Sequence, residues 1–362
     1  MTQESTARRD TLVGRFFQAT LGTLDILGVY IGDRLGLYRA LNEMGALTPD
    51  ELAAAAQIDE RCAREWLEQQ ATSGILAVDD AAVSEKNRRY SIPVGHDEVL
   101  VDESSLNCMV PVARLVVACV RPVEAVLEAF RTGMGVPYEH YGADMHEGQA
   151  GFTRPIFNSL LCTEWLPAIP EVHTRLLADP PARVADVACG EGVSSIAIAR
   201  GYRKVFVDGI DSDRASVEAA TRALADSGVS DRVAFHLRNA ADFEGNGSYD
   251  LVYIHEALHD MSYPVDVLGA CRRLLREGGS VLLVDERVGD TFTAPGDDLE
   301  RLYYGFSILH CLHVGMVGEQ AAGTGTVMRP AILRRYAIEA GFSGFETLQI
   351  ENDFYRFYRL IP

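Results

Sequence analysis

The sequence predicts an α/β protein: a parallel, doubly wound sheet with an antiparallel closing hairpin, behind a mainly helical N-terminal domain of winged-helix outline. Three observations carry this. From residue 183 onward short apolar runs alternate with amphipathic stretches at strand and helix spacing. The first apolar run leads straight into the small-residue turn Asp186-Val187-Ala188-Cys189-Gly190-Glu191-Gly192, with a helix behind it. Residues 11–76, by contrast, are helical in pattern, with Leu12, Phe16, Leu21, Leu24, Leu27 and Ile31 recurring at spacings near three and four.

The elements follow in chain order. Thr48 precedes Pro49, with Glu51 three residues on, which predicts a capping box and a helix through LTPDELAAAAQ. A second short helix is expected over about 59–72, then two strand-like pieces, ILAVDD and RRYSIP. RPVEAVLEAFRTG reads as an amphipathic helix ending at Gly133, and FTRPIFNSLLCTEWLP as another. RVADVAC, KVFVDGID, RVAFHLR, YDLVYIH and SVLLVDE read as strands, with helices at SSIAIARGY, RASVEAATRALADSG and VDVLGACRRLLREGG, the last closed by Gly278 and Gly279. The helix RPAILRRYAIEAG and the strand pair FETLQI and FYRFYRL complete the chain. The expected division is a winged-helix-like dimerisation domain over 1–105, a helical connector contributing to a substrate pocket over 106–175, and a ligand-binding domain over 176–362.

Composition narrows the function. The 362 residues hold 48% apolar and 23% charged side chains, which excludes disorder, collagen and a small disulfide scaffold. The 33 Lys and Arg against 52 Asp and Glu leave a net charge of −19, which argues against nucleic acid as the main partner. The second helix of the N-terminal pair sets Arg61 and Arg64 among Asp59, Glu60, Glu65 and Glu68, a poor match to a phosphate-lined groove. A homodimer through this domain is expected instead. Seven scattered cysteines read as reduced thiols. The first residues lack a signal-type apolar core, and Arg15, Gln18 and Asp25 interrupt the apolar stretch at 11–32. A soluble cytoplasmic protein with no membrane partner is the expectation.

The turn after the first sheet strand carries the chemistry. Side chains at its glycines would block a ligand from the backbone. The second strand ends in Gly209-Ile210-Asp211, 21 residues after Gly190, where a carboxylate can accept both hydroxyls of a ribose. Asp186 and Glu191 around the turn would repel a pyrophosphate and suit an ammonium or sulfonium group. The loop therefore fits S-adenosylmethionine better than a nicotinamide dinucleotide.

On these residues the sequence resembles the class I S-adenosylmethionine-dependent methyltransferases, and most of all the O-methyltransferases with an N-terminal winged-helix dimerisation domain. The motifs are DVACGEG (Asp186 to Gly192), VDGID (Val207 to Asp211), YDLVYIHEALHD (Tyr249 to Asp260) and LLREGGSVLLVDE (Leu274 to Glu286). The resemblance implies a Rossmann-like sheet, with Gly190 and Gly192 cradling the methionine part of the cofactor. It implies Asp211 on the ribose, Asn239 and Ala240 flanking the adenine, and His255 beside the cofactor. It also implies that His259-Asp260 supplies the general base. This chain departs from the pattern at Ala188, where the family has glycine, at Asn239, where an acid is usual, and at Met261, where Trp is common.

His255-Glu256-Ala257-Leu258-His259 also matches H-E-x-x-H, the zinc hydrolase signature, which needs both histidines on one helical face. The motif abuts a strand end, is followed by DMSYPVD, and has Pro264 close behind, so a zinc site is not expected. The candidate catalytic set is His259 as base, Asp260 as its orienter or a turn cap, and Glu286 as a supporting carboxylate. The insert 287–328 is expected to shape substrate choice. Tyr304, His310 and His313 from it, with Tyr138, Phe157 and Trp165 from the connector, are pocket candidates for an aromatic, natural-product-like acceptor; a packing role weighs equally for the insert helix. His310, Cys311 and His313 lack an evident fourth metal ligand in sequence. A winged-helix regulator, and non-methyl chemistry on the same cofactor, are the alternatives.

Overall fold

The computed structural model describes residues 2–245 and 247–362, so the first residue of the expected 1–105 domain lies outside it. The chain divides into two compact units, residues 1–117 with 147–152, and residues 118–146 with 153–362.

The first unit opens with a helix over Gln3–Arg34, and helices follow over Leu37–Met44, Pro49–Ala56 and Glu60–Thr72. Thr48 Oγ1 accepts from the Glu51 amide at 3.3 Å and Glu51 accepts from the Thr48 amide at 2.8 Å, so the capping box is formed. β1 (Ala77–Val78) and β2 (Tyr90–Ser91) pair antiparallel as a short wing. The core of this unit gathers Leu37, Tyr38, Leu41, Leu52, Trp66 and Leu67. Gly28 and Gly32 let the long helix approach it closely, because a β-carbon at Gly32 would strike the Trp66 and Tyr38 rings. The first turns of that helix escape burial: Phe16 is 67% and Phe17 61% exposed. Two of the wing's cations are engaged within their own unit, Arg88 with Glu68 at 2.7 Å and Arg89 with Glu51 at 2.8 Å.

The second unit is built on a seven-stranded sheet. Its strands are β3 (Arg183–Val187), β4 (Phe206–Asp211), β5 (Val233–Leu237), β6 (Tyr249–His255), β7 (Leu275–Glu286), β8 (Gly344–Thr347) and β9 (Tyr355–Ile361). The spatial order is β5-β4-β3-β6-β7-β9-β8, parallel through β7, with β9 antiparallel to both its neighbours. Strand alternation feeds two cores. Val184, Val207, Leu251 and Leu282 face the layer containing Leu161, Trp165 and Ile198. Ala185, Ile210, Val252 and Leu283 face the layer containing Leu268, Leu274 and Leu333. The parallel strands all end on one edge, which collects the tips of β3, β4, β6 and β7 where such sheets bind ligands.

One expected boundary moves. The helix over Pro264–Leu274 ends before Gly278 and Gly279, which lie inside β7. Pairing jumps from Tyr249 with Leu275 to Leu251 with Ser280, and Gly278 takes φ +78° in the bulge between. Gly279 runs so near the Tyr249 carbonyl that a β-carbon would sit 2.9 Å from its oxygen. The glycine pair serves the strand's close approach and not a helix cap. The connector helix Ala143–Ile156 continues past Pro155 into a π-helical stretch over Phe157–Trp165. No described helix is long and apolar enough to cross a membrane.

Candidate active site

The turn after β3 winds through left-handed backbone at Ala188 (φ +57°), Gly190 (φ +52°) and Gly192 (φ +75°). Glycine is the ordinary choice for such angles, so Ala188 accepts a small strain where the related pattern has glycine. The amides of Ala188 and Cys189 are pinned to the Ile210 carbonyl at 2.8 and 3.3 Å. A β-carbon at Gly192 would strike the Phe235 ring, whereas one at Gly190 would meet nothing within 4 Å. Gly190 thus leaves open space above the turn that an incoming ligand can fill.

Two carboxylates shape this loop. Asp186 is buried, and its Oδ2 accepts from the hydroxyls of Ser194 and Ser195 at 2.6 Å each. Burial raises it to about 6, against the pull of both serines. Asp186 therefore ties the loop to the helix Val193–Gly201 through its Oδ2. Asp211, at the tip of β4, accepts from the Gly190 amide through Oδ2 and from the Asp213 amide through Oδ1, both at 2.8 Å. Burial pushes its carboxyl upward. His146 stands 3.4 Å from Asp213, and its ring packs against Tyr138 at 5.2 Å. The Tyr138 hydroxyl, raised by burial, feels the charges of Asp211, Asp260, Asp213 and Glu191. Asn239 is exposed and caps the turn Ala240–Asp242 by accepting from Ala241 at 3.0 Å, with Ala240 half-buried beside it.

His255 closes β6. Its Nδ1 meets the Tyr253 hydroxyl at 2.9 Å, Phe157 packs edge-on at 4.8 Å, and Trp165 stacks at 5.8 Å. Trp165 belongs to the buried core with Phe357 and Tyr355, so it is a platform under His255. His259 instead lies on the single 3-10 turn Leu258–Asp260. The two histidines of HEALH share no helix, and the zinc hydrolase geometry does not form.

The base candidate is held by β7. His259 Nδ1 lies 2.9 Å from Asp285 Oδ1 and 3.0 Å from Glu286 Oε2, and all three side chains are buried. Burial would push the imidazole down, but the charges of Glu286 and Asp285 outweigh it and raise it well above 6.5. Burial pushes Asp285 up, yet the His259 charge and its hydrogen bonds hold it below the usual range. Glu286 is raised well above normal by burial and by Asp285. The two neighbouring carboxyls are thus shifted in opposite directions, Asp285 down and Glu286 up. Asp260, raised to about 6 by burial against the His259 charge, makes no contact at Nδ1 comparable to these. The orienting contact thus comes from Asp285, which the sequence reading passed over in favour of its neighbour Glu286. The only signal for it was its position at the end of a buried strand.

The insert brings His310 and Cys311 to the same region, His310 after the helix Asp298–Leu309 and Cys311 at the start of the short helix Cys311–Val314. His310 packs on Tyr141 at 4.4 Å and Tyr138 at 5.7 Å, and burial pushes it down to about 3. His313 donates through Nε2 to the Ile308 carbonyl at 3.0 Å and packs on Phe130 at 5.0 Å. Tyr304 is 39% exposed, and its hydroxyl accepts from Arg329 at 3.4 Å. Its neighbour Tyr303 is the buried member of the pair, donating to the Phe354 carbonyl at 2.7 Å.

Comparison with known proteins agrees with this construction. Residues 178–315 match the methyltransferase-domain family model. The chain carries a methyltransferase domain. Residues 23–102, ahead of the methyltransferase domain, match an Rv2258c-like winged helix-turn-helix domain. A ubiquinone biosynthesis O-methyltransferase of Aromatoleum aromaticum is 28% identical over 169 residues, 46% of this chain and 66% of that protein. The 27-O-demethylrifamycin SV methyltransferase of Amycolatopsis mediterranei is 34% identical over 104 residues, 28% of this chain and 38% of that protein. The chain thus spans less than two thirds of these curated relatives. An O-methyltransferase of Aspergillus nomiae is 26% identical over 211 residues, 51% of this chain and 92% of that protein. Likeness of fold extends further. Mitomycin 7-O-methyltransferase aligns at TM-score 0.69 and 17% identity over 99% of this chain and 100% of its own. Human N-acetylserotonin methyltransferase, solved with S-adenosylmethionine, aligns at TM-score 0.69 and 15% identity over 100% and 98%.

Proposed function

We propose that the protein transfers a methyl group from S-adenosylmethionine to a hydroxyl of an aromatic, natural-product-like small molecule, with His259 as general base. The observation that carries the cofactor is the sterically open backbone at Gly190, bounded by the Asp211 carboxylate that the Gly190 amide itself orients. Asp211 would hold the ribose, Gly190 and Gly192 would leave room for the methionine part, Asn239 and Ala240 would flank the adenine, and His255 would lie at the cofactor's edge. The cofactor, when bound, supplies an activated methyl on a positively charged sulfur. The acidic surroundings of Asp211, Asp213, Asp260 and Glu191 suit that charge.

The chain's own contribution is positioning and proton removal. Asp285 and Glu286 act on His259 at Nδ1, so Nε2 is the nitrogen left to accept the acceptor's proton. Asp285 and Glu286 are positioning residues in this reading, and Asp260 supports the field around them. Tyr138, Phe157 and His310 would border the acceptor, with Trp165 and His313 behind them and Tyr304 at the outer rim. His310 is held neutral by burial, which favours an uncharged aromatic ring.

The division into 1–105, 106–175 and 176–362 is kept as a functional one, with the first segment as the dimer-forming part. The exposed Leu12, Val13, Phe16 and Phe17 on the long helix support a homodimer. Light scattering would test that, with a monomer at micromolar concentration counting against it.

Calorimetric titration with S-adenosylhomocysteine tests the central reading. Saturable binding is expected, and no binding at millimolar ligand would overturn it. His259→Ala should keep that affinity within about twofold and lower turnover by about 10²–10⁴.

A further inference from the structure

Cys311 has no part in the reaction proposed above, yet its thiol stands beside the proposed base. Ligand-capable atoms of His259, Asp260 and Cys311 all lie within 4.8 Å of one another, with His259 and Cys311 buried and Asp260 half-buried. The Nδ1 face of His259 is taken by Asp285 and Glu286, which leaves Nε2 for the side shared with the thiol. The cluster is not a lone cysteine or a set of acids. It joins sulfur, imidazole nitrogen and carboxylate oxygen, the mixed donor set of tetrahedral zinc sites with one position left open.

A second observation supports a ligand here. The Thr326 hydroxyl is buried beside the Cys311 thiol and acts on it as a hydrogen-bond partner, so a polar group already faces the sulfur. On the other flank His310 Nδ1 lies 3.3 Å from the sulfur, placed to hold its orientation, while the buried His310 Nε2 has no partner among the described residues.

We infer that His259, Asp260 and Cys311 form a binding site for a thiophilic divalent cation of the zinc class. Donors around one zinc ion stand roughly 3.3–3.8 Å apart for bond lengths of about 2.0–2.3 Å. The three side chains therefore need to close by no more than roughly 1–1.5 Å to hold one ion. The ion enters from the half-buried Asp260 side, and both the thiol proton and the Nε2 proton of the raised His259 leave to solvent as the metal–sulfur and metal–nitrogen bonds form. Water or an acceptor oxygen takes the fourth position. This is a different site from the HEALH signature, because His255 contributes nothing to it.

The consequence is inhibition. A cation on Nε2 removes the lone pair that would accept the acceptor's proton, so zinc and base function exclude each other. That consequence rests on the proposed role of His259; the binding itself does not.

Cobalt(II) added to the metal-stripped full chain without oxygen tests the binding directly. One ion per chain is expected, with a near-ultraviolet thiolate-to-cobalt charge-transfer band that zinc then abolishes by displacement. Cys311→Ser should lose the band, while Cys271→Ser, at a buried cysteine elsewhere, should keep it. Asp260→Asn should weaken binding at least tenfold while keeping the thiolate band. Absence of the band in the wild type, its persistence in Cys311→Ser, or unchanged affinity in Asp260→Asn would overturn the site. The band reads out even if the protein transfers no methyl group, so the failure of this site and of the proposed activity are distinguishable.

Discussion

His259 and Asp285 form a buried pair, joined from imidazole Nδ1 to carboxylate Oδ1 at 2.9 Å. The same Asp285 oxygen accepts from the Glu286 amide at 3.0 Å, so the strand end holds the carboxylate that meets the histidine. A turn residue is thereby oriented by a strand 26 positions later in the chain.

The first prediction is a pH profile. A base must be neutral, and His259 is raised well above 6.5, so turnover should climb with pH through and beyond neutrality. Asp285→Asn removes one of the charges that raise it. Its rising limb should move to lower pH, with the plateau about 10–100-fold lower from lost orientation. Rate measurements across pH 5–10 would read both effects, and an unmoved limb would exclude the pair from catalysis.

Stability follows from the same linkage. The raised His259 contributes fully below its unfolded value of about 6.5, and that contribution is lost as pH rises through the raised folded value. The lowered Asp285 contributes above its unfolded value of about 3.9, and its share is lost as pH falls through the lower folded value. The stability gap between wild type and Asp285→Asn should therefore be widest between those limits and shrink on either side. Thermal unfolding at acid, neutral and alkaline pH measures it.

Asp211→Ala removes the acceptor that holds the Gly190 amide and the groove's carboxylate together. S-Adenosylhomocysteine affinity should fall at least tenfold by calorimetry. Equal affinity would refute the ribose assignment.

Gly192→Ala forces a β-carbon into the Phe235 ring at a residue already at φ +75°. Loss of about 1–3 kcal/mol is expected from overpacking alone, with added strain from the backbone. Chemical denaturation would show it, and a wild-type midpoint would mean that the turn relaxes freely.

Thr48→Ala should cost about 1 kcal/mol by breaking the capping box, with no effect on cofactor affinity. Denaturant melts read the first quantity, and calorimetry reads the second.

Much of this protein was legible in its residues because the signals are local. A capping box is read within four positions, and Thr48 and Glu51 close it as expected. A turn that needs left-handed backbone selects small residues, and the stretch from Ala188 to Gly192 takes those angles. Strand periodicity placed Asp211 and His255 at strand tips. The Gly278-Gly279 pair misled because glycine serves a helix end and a strand bulge equally well, and only pairing with Tyr249 and Leu251 distinguishes them.

By itself the sequence determined the parallel α/β order and the small-residue turn after the first sheet strand, since each depends on neighbours within a few residues or on a repeating spacing; His259 as base candidate came from the family resemblance. Only the tertiary structure decided that Asp285 orients His259, that Trp165 lies under His255 in the core, and that Cys311 comes within reach of His259 and Asp260. Those contacts join segments 26 to 90 positions apart, and no local pattern encodes which side chains a folded sheet edge brings together.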